Sequence, residues 1–235
     1  MVNFLWKDEF KMNVLLIGAN GQIGRFITDK MQEDEAFNLL AGYRKDDQIN
    51  EAQARGIDTA KIDLEEDIQH LEKAMDGIDT VIFAAGSGGS TGADMTMMID
   101  LDGAVKAIEA AKRTKVKRFV IISAVNSNRR EVWSYASYGS STPSYYHAAK
   151  YYADVWLIRS GLDYTIIRPT GLTNDEGTGK IEAAELLDTD KASLEIPRED
   201  VANVVIESLK NDATINKDFD VTSGLDDIAD VLSKL

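Results

Sequence analysis

No stretch of the chain restricts its fold as tightly as Val14-Leu15-Leu16-Ile17-Gly18-Ala19-Asn20-Gly21-Gln22-Ile23-Gly24-Arg25. Four apolar residues run into a G-x-x-G-x-x-G turn, and Ile23, Phe26, Ile27 and Met31 follow at helical spacing on one face. A strand that ends in a glycine turn and passes into an amphipathic helix opens a βαβ array. Gly18 permits the tight turn, Gly21 lets the backbone approach a pyrophosphate, and Gly24 lets the helix pack close to the strand. The helix N-terminus then offers free N–H groups and a positive dipole end to phosphates. Gly18, Asn20, Gly21, Gln22, Ile23 and Gly24 are therefore candidate dinucleotide-binding residues. The plain alternative is a glycine turn that only joins two elements.

The rest of the chain repeats this alternation. Strands are expected at residues 13–17, 37–43, 60–62, 80–85, 118–124, 164–168 and 219–222. Helices are expected at 47–55, around Ile68, Leu71 and Met75, and at 95–113, 144–160, 199–211 and 226–235. This order predicts an α/β, Rossmann-type, doubly wound parallel sheet. Residues 12–235 read as a single domain with a small C-terminal substrate-side region, and residues 1–11 as an N-terminal extension, since Met12 could serve as an alternative start. The irregular stretches 126–143 and 172–193 both follow the carboxyl end of a strand, where open sheets place their ligands. They are expected to form the substrate side, with ordinary surface loops as the alternative.

Composition removes several kinds of chemistry. The chain has no cysteine, which excludes disulfides, thiolate nucleophiles and cysteine-ligated metals. Only His70 and His147 offer imidazole, so no metal site is expected. A net charge of -14 argues against a nucleic-acid partner, whose phosphates it would repel. No run is long enough to span a bilayer, and Lys7, Asp8 and Glu9 interrupt any leader-like apolar core near the start. A cytoplasmic monomer or homodimer acting on a small-molecule substrate is the expectation.

The second strand bears on the choice of cofactor. NAD-specific sites usually carry an acidic residue about 20 positions beyond the glycine turn, on the ribose hydroxyls. Here that region reads Ala41-Gly42-Tyr43-Arg44-Lys45. A guanidinium binds a 2′-phosphate through a paired, charge-assisted fork, so Arg44 is the first candidate and Lys45 the second. NADP(H) is thus favoured over NAD(H), while solvated charges at a strand end explain the same residues without a ligand. Asp63-Leu64 closes the third strand, where a carboxylate could accept from an adenine amino group. Ala84, Ala85 and Gly86 close the fourth with small side chains that leave room for cofactor.

Five segments carry a resemblance that extends along nearly the whole chain from Met12. They are Gly18–Gly24, Asp100-Leu-Asp-Gly103, Lys115-Val-Lys-Arg-Phe-Val-Ile-Ile-Ser123, Tyr145-Tyr146-His-Ala-Ala-Lys150 and Tyr164-Thr-Ile-Ile-Arg168-Pro169-Thr-Gly171. Together they resemble an atypical short-chain dehydrogenase/reductase of the NAD(P)H-binding group, akin to NmrA-like and NAD-dependent epimerase/dehydratase-like proteins. The resemblance implies a Tyr-x-x-x-Lys pair, which falls on Tyr146 and Lys150, with the lysine also holding the nicotinamide ribose. Residues four apart share a helix face, and a nearby ammonium makes a phenol with an ordinary pKa of ~10 a usable acid. Related proteins place a Ser or Thr at the end of the fifth strand. Alignment puts Ala124 there and Ser123 one position earlier, on the opposite strand face. Asp100 stands where an Asn is usual, as a structural or proton-relay carboxylate.

The resemblance implies an NADPH-dependent oxidoreductase acting on a carbonyl-type small molecule, with Tyr146, Lys150, Ser123 and Asp100 as its catalytic candidates. The alternative is a non-catalytic NADP(H)-binding redox sensor of the NmrA kind. A sugar-nucleotide epimerase or dehydratase is disfavoured, because only about 65 residues follow Pro169. Arg198 reads as a helix-end salt bridge ahead of a contact to a substrate carboxylate or phosphate. Trp133 either lines an apolar pocket or anchors its loop.

Overall fold

The computed structural model describes residues 11–89, 91–133, 144–189 and 194–235. The expected extension, Lys11 apart, and residues 134–143 and 190–193 of the two expected loops lie outside the described residues. The chain runs β1 (Met12–Ile17), α1 (Gln22–Glu33), β2 (Phe37–Tyr43), α2 (Asp46–Ala54), β3 (Thr59–Lys61), α3 (Ile68–Ala74) and β4 (Thr80–Phe83). A short α4 (Ala93–Met95) and a π-helical segment, Thr96–Gly103, lead into α5 (Ala104–Thr114), β5 (Arg118–Ile122) and the single turn α6 (Arg130–Trp133). Then come α7 (Tyr145–Ile158), β6 (Asp163–Pro169), β7 (Gly171–Thr173), β8 (Lys180–Ala184) and β9 (Glu195–Pro197). The chain closes with α8 (Arg198–Lys210), β10 (Lys217–Ser223), β11 (Asp226–Asp227) and α9 (Ile228–Leu232).

Among the described residues, nine strands form one sheet in the order β11-β8-β10-β6-β5-β4-β1-β2-β3. The strands from β3 across to β10 are parallel, and β8 runs antiparallel to β10 and β11. Central strands covered on both faces lose the apolar–polar alternation, and every residue of β4 and β5 is buried. Alternate residues of β1 feed two separate cores: Val14 and Leu16 point into one, Leu15 and Ile17 into the other. The first core takes Ile27 and Met31 of α1 and Val201, Val204 and Val205 of α8. The second takes Leu71 of α3, Ala107 and Ile108 of α5, and Ala153 and Leu157 of α7. Each fully buried Leu or Ile stabilises the fold by roughly 1.5–3 kcal/mol. The sheet is therefore doubly wound, as the alternation of elements implies.

Strand order runs outward from β1 to β3 on one side and from β4 to β6 on the other. The reversal lies between β1 and β4, and it opens a crevice at their carboxyl ends, the usual ligand position in such sheets. Gly18 closes β1 at φ +95°, and a Cβ there would lie 2.6 Å from the Ala85 amide nitrogen. A Cβ at Gly24 would lie 2.2 Å from the Gly18 carbonyl oxygen, so glycine alone lets α1 sit this close to the turn.

The largest departures from expectation lie at the C-terminal end. Residues 172–193 are not wholly irregular: β7 pairs with β9 in a separate two-stranded sheet, and β8 joins the main sheet beside β10. The last helix begins at Ile228, because Asp226 and Asp227 pair with β8 instead. No helix among the described residues is long and apolar enough to cross a membrane.

Candidate functional site

The crevice between β1 and β4 has two connected chambers. The first, about 390 Å³, is lined by Gly18, Asn20, Gly21, Arg44, Leu64, Ala84, Ala85 and Gly86 among others. The second, about 670 Å³, is lined by Gly21, Gln22, Ile23, Asp100, Ser123, Tyr146, Lys150 and Arg198 among others. Gly21, Ala84, Ala85, Gly86, Ser87 and Thr91 are common to both. Gly21 is the N-cap residue of α1, and no side chain caps that helix. Its first-turn N–H groups are therefore left for a ligand at the junction of the two chambers. A bare glycine cradle, an uncapped helix N-terminus and small walls at Ala84 and Ala85 suit the pyrophosphate of a dinucleotide.

At the outer end of the first chamber, Arg44 keeps about half of its side chain exposed (52%) and lies 3.8 Å from Glu65. So exposed a pair holds the guanidinium with at most about 1 kcal/mol, which leaves it free to turn to an anion. Asp46, the nearest carboxylate beyond Lys45, is turned to Lys61 at 2.7 Å. Lys45 and Asp63 line neither chamber. The Lys45 amide donates to Gln48 at the start of α2, and Asp63 accepts from the Glu65 amide at 3.0 Å.

In the second chamber, Tyr146 and Lys150 lie one turn apart on α7, whose N-terminus is capped by Ser144 accepting from the His147 amide. Tyr146 is 39% exposed, whereas Lys150 is buried. The Lys150 ammonium lies 3.1 Å from Asp100, donates to the Ile122 carbonyl at 3.3 Å, and is 5.8 Å from the centre of the Tyr146 ring. Burial alone pushes the Lys150 pKa down, but Tyr146, Asp100 and Asp154 outweigh it and hold the ammonium above the usual lysine range. Asp100 comes from the π-helical segment, a rare geometry found disproportionately at functional sites. It also accepts from the Ser87 amide at 3.0 Å, tying the loop after β4 to the lysine.

The chain matches the family described as NAD(P)H-binding over residues 18–212. The chain belongs to the NAD(P)H-binding family. The uncharacterized sugar epimerase YhfK of Bacillus subtilis (strain 168) is 45% identical over 224 residues, covering 95% of this chain and 100% of the relative. A Bacillus halodurans structure, provisionally named an NAD-dependent epimerase/dehydratase, superposes with a TM-score of 0.85 at 38% identity, covering 95% of this chain and 100% of the other. The oxidoreductase ylbE of Lactococcus lactis gives 0.82 at 31% identity, with 95% and 96% covered. These matches agree with the resemblance carried by the five sequence segments.

Within this NAD(P)H-binding fold, most of the expected site residues meet in one crevice. Gly24 stands behind it, packed on the Gly18 carbonyl. Ser123, not Ala124, lines the cleft. Its hydroxyl donates to Asp154 at 2.7 Å, and Ser127 donates to the same carboxylate oxygen at 3.1 Å. Sequence inspection passed over Asp154, although it lies four residues beyond Lys150 and so on the same helix face. Burial drives its carboxyl up to about 6, against the pull of Ser123, Arg168, Lys150 and Ser127.

Trp133 anchors its loop: it is buried away from the cleft, and its Nε1 donates to the Ser127 carbonyl at 2.7 Å. Among the described residues Arg198 forms no helix-end salt bridge, contrary to expectation. Its Nη1 instead donates to the Leu172 carbonyl at 3.2 Å and to Asn174 Oδ1 at 2.8 Å. The adjacent acids are committed elsewhere, Glu199 to Lys30 and Asp200 to the 178–179 backbone. Among the described residues no cluster of three or more His, Asp or Glu is arranged to hold a metal.

Proposed function

We propose that this chain is an NADP(H)-dependent oxidoreductase of the atypical short-chain type that reduces a carbonyl group on a small molecule. One observation carries the proposal: Tyr146, Lys150 and Asp100 meet in the chamber whose other wall is the glycine turn. Gly18, Gly21 and the first-turn amides of α1 would hold the pyrophosphate, Leu64, Ala84, Ala85 and Gly86 would flank it, and Arg44 would take the 2′-phosphate. Bound there, NADPH supplies a hydride.

Tyr146, exposed to the cleft, donates its phenolic proton to the carbonyl oxygen. The tyrosinate that remains is stabilised by the Lys150 ammonium, whose charge persists because Tyr146, Asp100 and Asp154 together outweigh its burial. Asp100 fixes the lysine in place. Two features support a preference for NADP(H): Arg44 lines the first chamber, and Asp46 is occupied by Lys61.

A second reading, a redox sensor that binds NADP(H) without turnover, draws support from Ser123. Its proton goes to Asp154 and is not offered to a substrate oxygen.

A Tyr146→Phe variant separates these readings. For a reductase, NADPH oxidation across a carbonyl panel falls by about 100-fold or more while the NADPH Kd stays within about twofold. Unchanged turnover removes Tyr146 from the mechanism. A wild-type protein that binds NADPH and reduces nothing in the panel favours the sensor.

A further inference from the structure

The described ionisable residues that line the second chamber are Asp100, Lys150, Arg198 and the tyrosines 145 and 146. Asp100 and Lys150 neutralise one another at 3.1 Å. Among the described residues Arg198 has no such counter-charge. Both partners of its Nη1, the Leu172 carbonyl and the Asn174 amide oxygen, are neutral. They fix the guanidinium plane but leave its charge uncompensated, and Nη2 and Nε have no protein partner among the described residues. In a chain of net charge -14 this is not for want of carboxylates. Glu199 is held by Lys30 and the Gly177 amide, and Asp200 is buried on the amides of Thr178 and Gly179 and the Thr178 hydroxyl. Counted over its described lining residues, the chamber therefore carries a net positive charge from a side chain whose adjacent acids are engaged elsewhere.

The free edge of an oriented guanidinium matches a carboxylate or a phosphate through two parallel hydrogen bonds. Ile122, Tyr145, Pro169 and Leu172 give the same chamber an apolar wall. We infer that the substrate is a carbonyl compound with an apolar body and one carboxylate or phosphate, and that Arg198 binds this anion. The inference rests on the oxidoreductase reading for the carbonyl, but the anion site stands on the chamber itself. The pyrophosphate of the cofactor already has the glycine cradle and the α1 N-terminus. Arg198 instead belongs with Leu172 and Asn174, on the segment beyond β6.

The test is calorimetric titration of the full chain, with and without saturating NADPH, using 4-carboxybenzaldehyde, 4-formylphenyl phosphate and the neutral methyl 4-formylbenzoate. One or both anions should bind at least about tenfold tighter than the ester. Arg198→Met should bring that ratio close to 1, while Arg198→Lys, which keeps the charge but loses the fork, retains part of it. Equal binding of anions and ester, or binding of none of the three, overturns the inference. So does a preference for anions that survives in Arg198→Met. An Arg198→Met protein that instead loses NADPH affinity assigns the arginine to the cofactor and also overturns it. Failure of NADPH to bind, with the anion preference intact, removes the oxidoreductase reading and leaves the anion site standing.

Discussion

Asp154 gives the chain a titration that a single substitution should remove. The carboxylate is buried on α7 with Ser123 and Ser127 donating to one oxygen, while its Oδ1 has no hydrogen-bond partner among the described residues. Burial raises its pKa to about 6, against ~3.9 in an unfolded chain. Two units at ~1.4 kcal/mol each make a full swing on the order of 3 kcal/mol. Because the folded-state value is the higher one, the native protein binds this proton more tightly than the unfolded chain does. The resulting stability is fully present below the unfolded pKa and is lost as pH rises through about 6.

Asparagine keeps the shape and cannot titrate, and its pH-independent costs cancel when two pH values are compared. Working above the pI of about 4.6 avoids precipitation. Between pH 5 and 7.5 the linkage expression leaves about 1.4 kcal/mol of the swing. Urea unfolding of wild type and Asp154→Asn at both pH values should show the stability difference moving in favour of asparagine by that amount. A difference constant to within about 0.3 kcal/mol would refute the assignment of a raised pKa to this carboxylate.

Two further substitutions test the packing that positions the site. Gly24→Ala drives a Cβ to 2.2 Å from the Gly18 carbonyl oxygen with only backbone around it. It should cost about 1–3 kcal/mol in urea unfolding and weaken NADPH binding together with stability; a neutral result would show that the helix can retreat from the turn. Lys150→Met leaves Asp100 charged and buried, at a cost of about 3–5 kcal/mol. Adding Asp100→Asn should recover much of it, and additive effects in this double-mutant cycle would contradict a coupled pair.

The parts of the fold legible in the sequence are those set by local sterics and long apolar runs. The Gly18–Gly24 turn is one, because the positive φ of Gly18 and backbone approaches under 3 Å at Gly18 and Gly24 leave no other residue type at those two positions. The bounds of β2 are another, matching expectation at Phe37 and Tyr43. Less was legible where tertiary pairing decides. In Lys180–Ala184 only Ile181 is fully buried, too little periodicity to announce a strand that exists because β10 lies beside it. The π-helical widening around Asp100 interrupts what reads as one continuous helix from residue 95 to residue 113. The surroundings of Arg198 and Asp154 are not legible in the sequence for the same reason: they depend on which partners the fold brings near. The offset of Ser123 was visible in the sequence, but its bond to Asp154 was not.

The claim on which the rest depends is that the crevice between β1 and β4 binds a nicotinamide dinucleotide through the glycine turn, with Arg44 selecting NADP(H). Calorimetric titration of wild type and Arg44→Ala with NADPH and with NADH tests it most directly. Wild type should bind NADPH more tightly than NADH by on the order of tenfold, or ~1.4 kcal/mol, and Arg44→Ala should erase that difference while leaving NADH affinity in place. Preference for NADH would remove Arg44 from the site. Binding of neither nucleotide would contradict the account at its root.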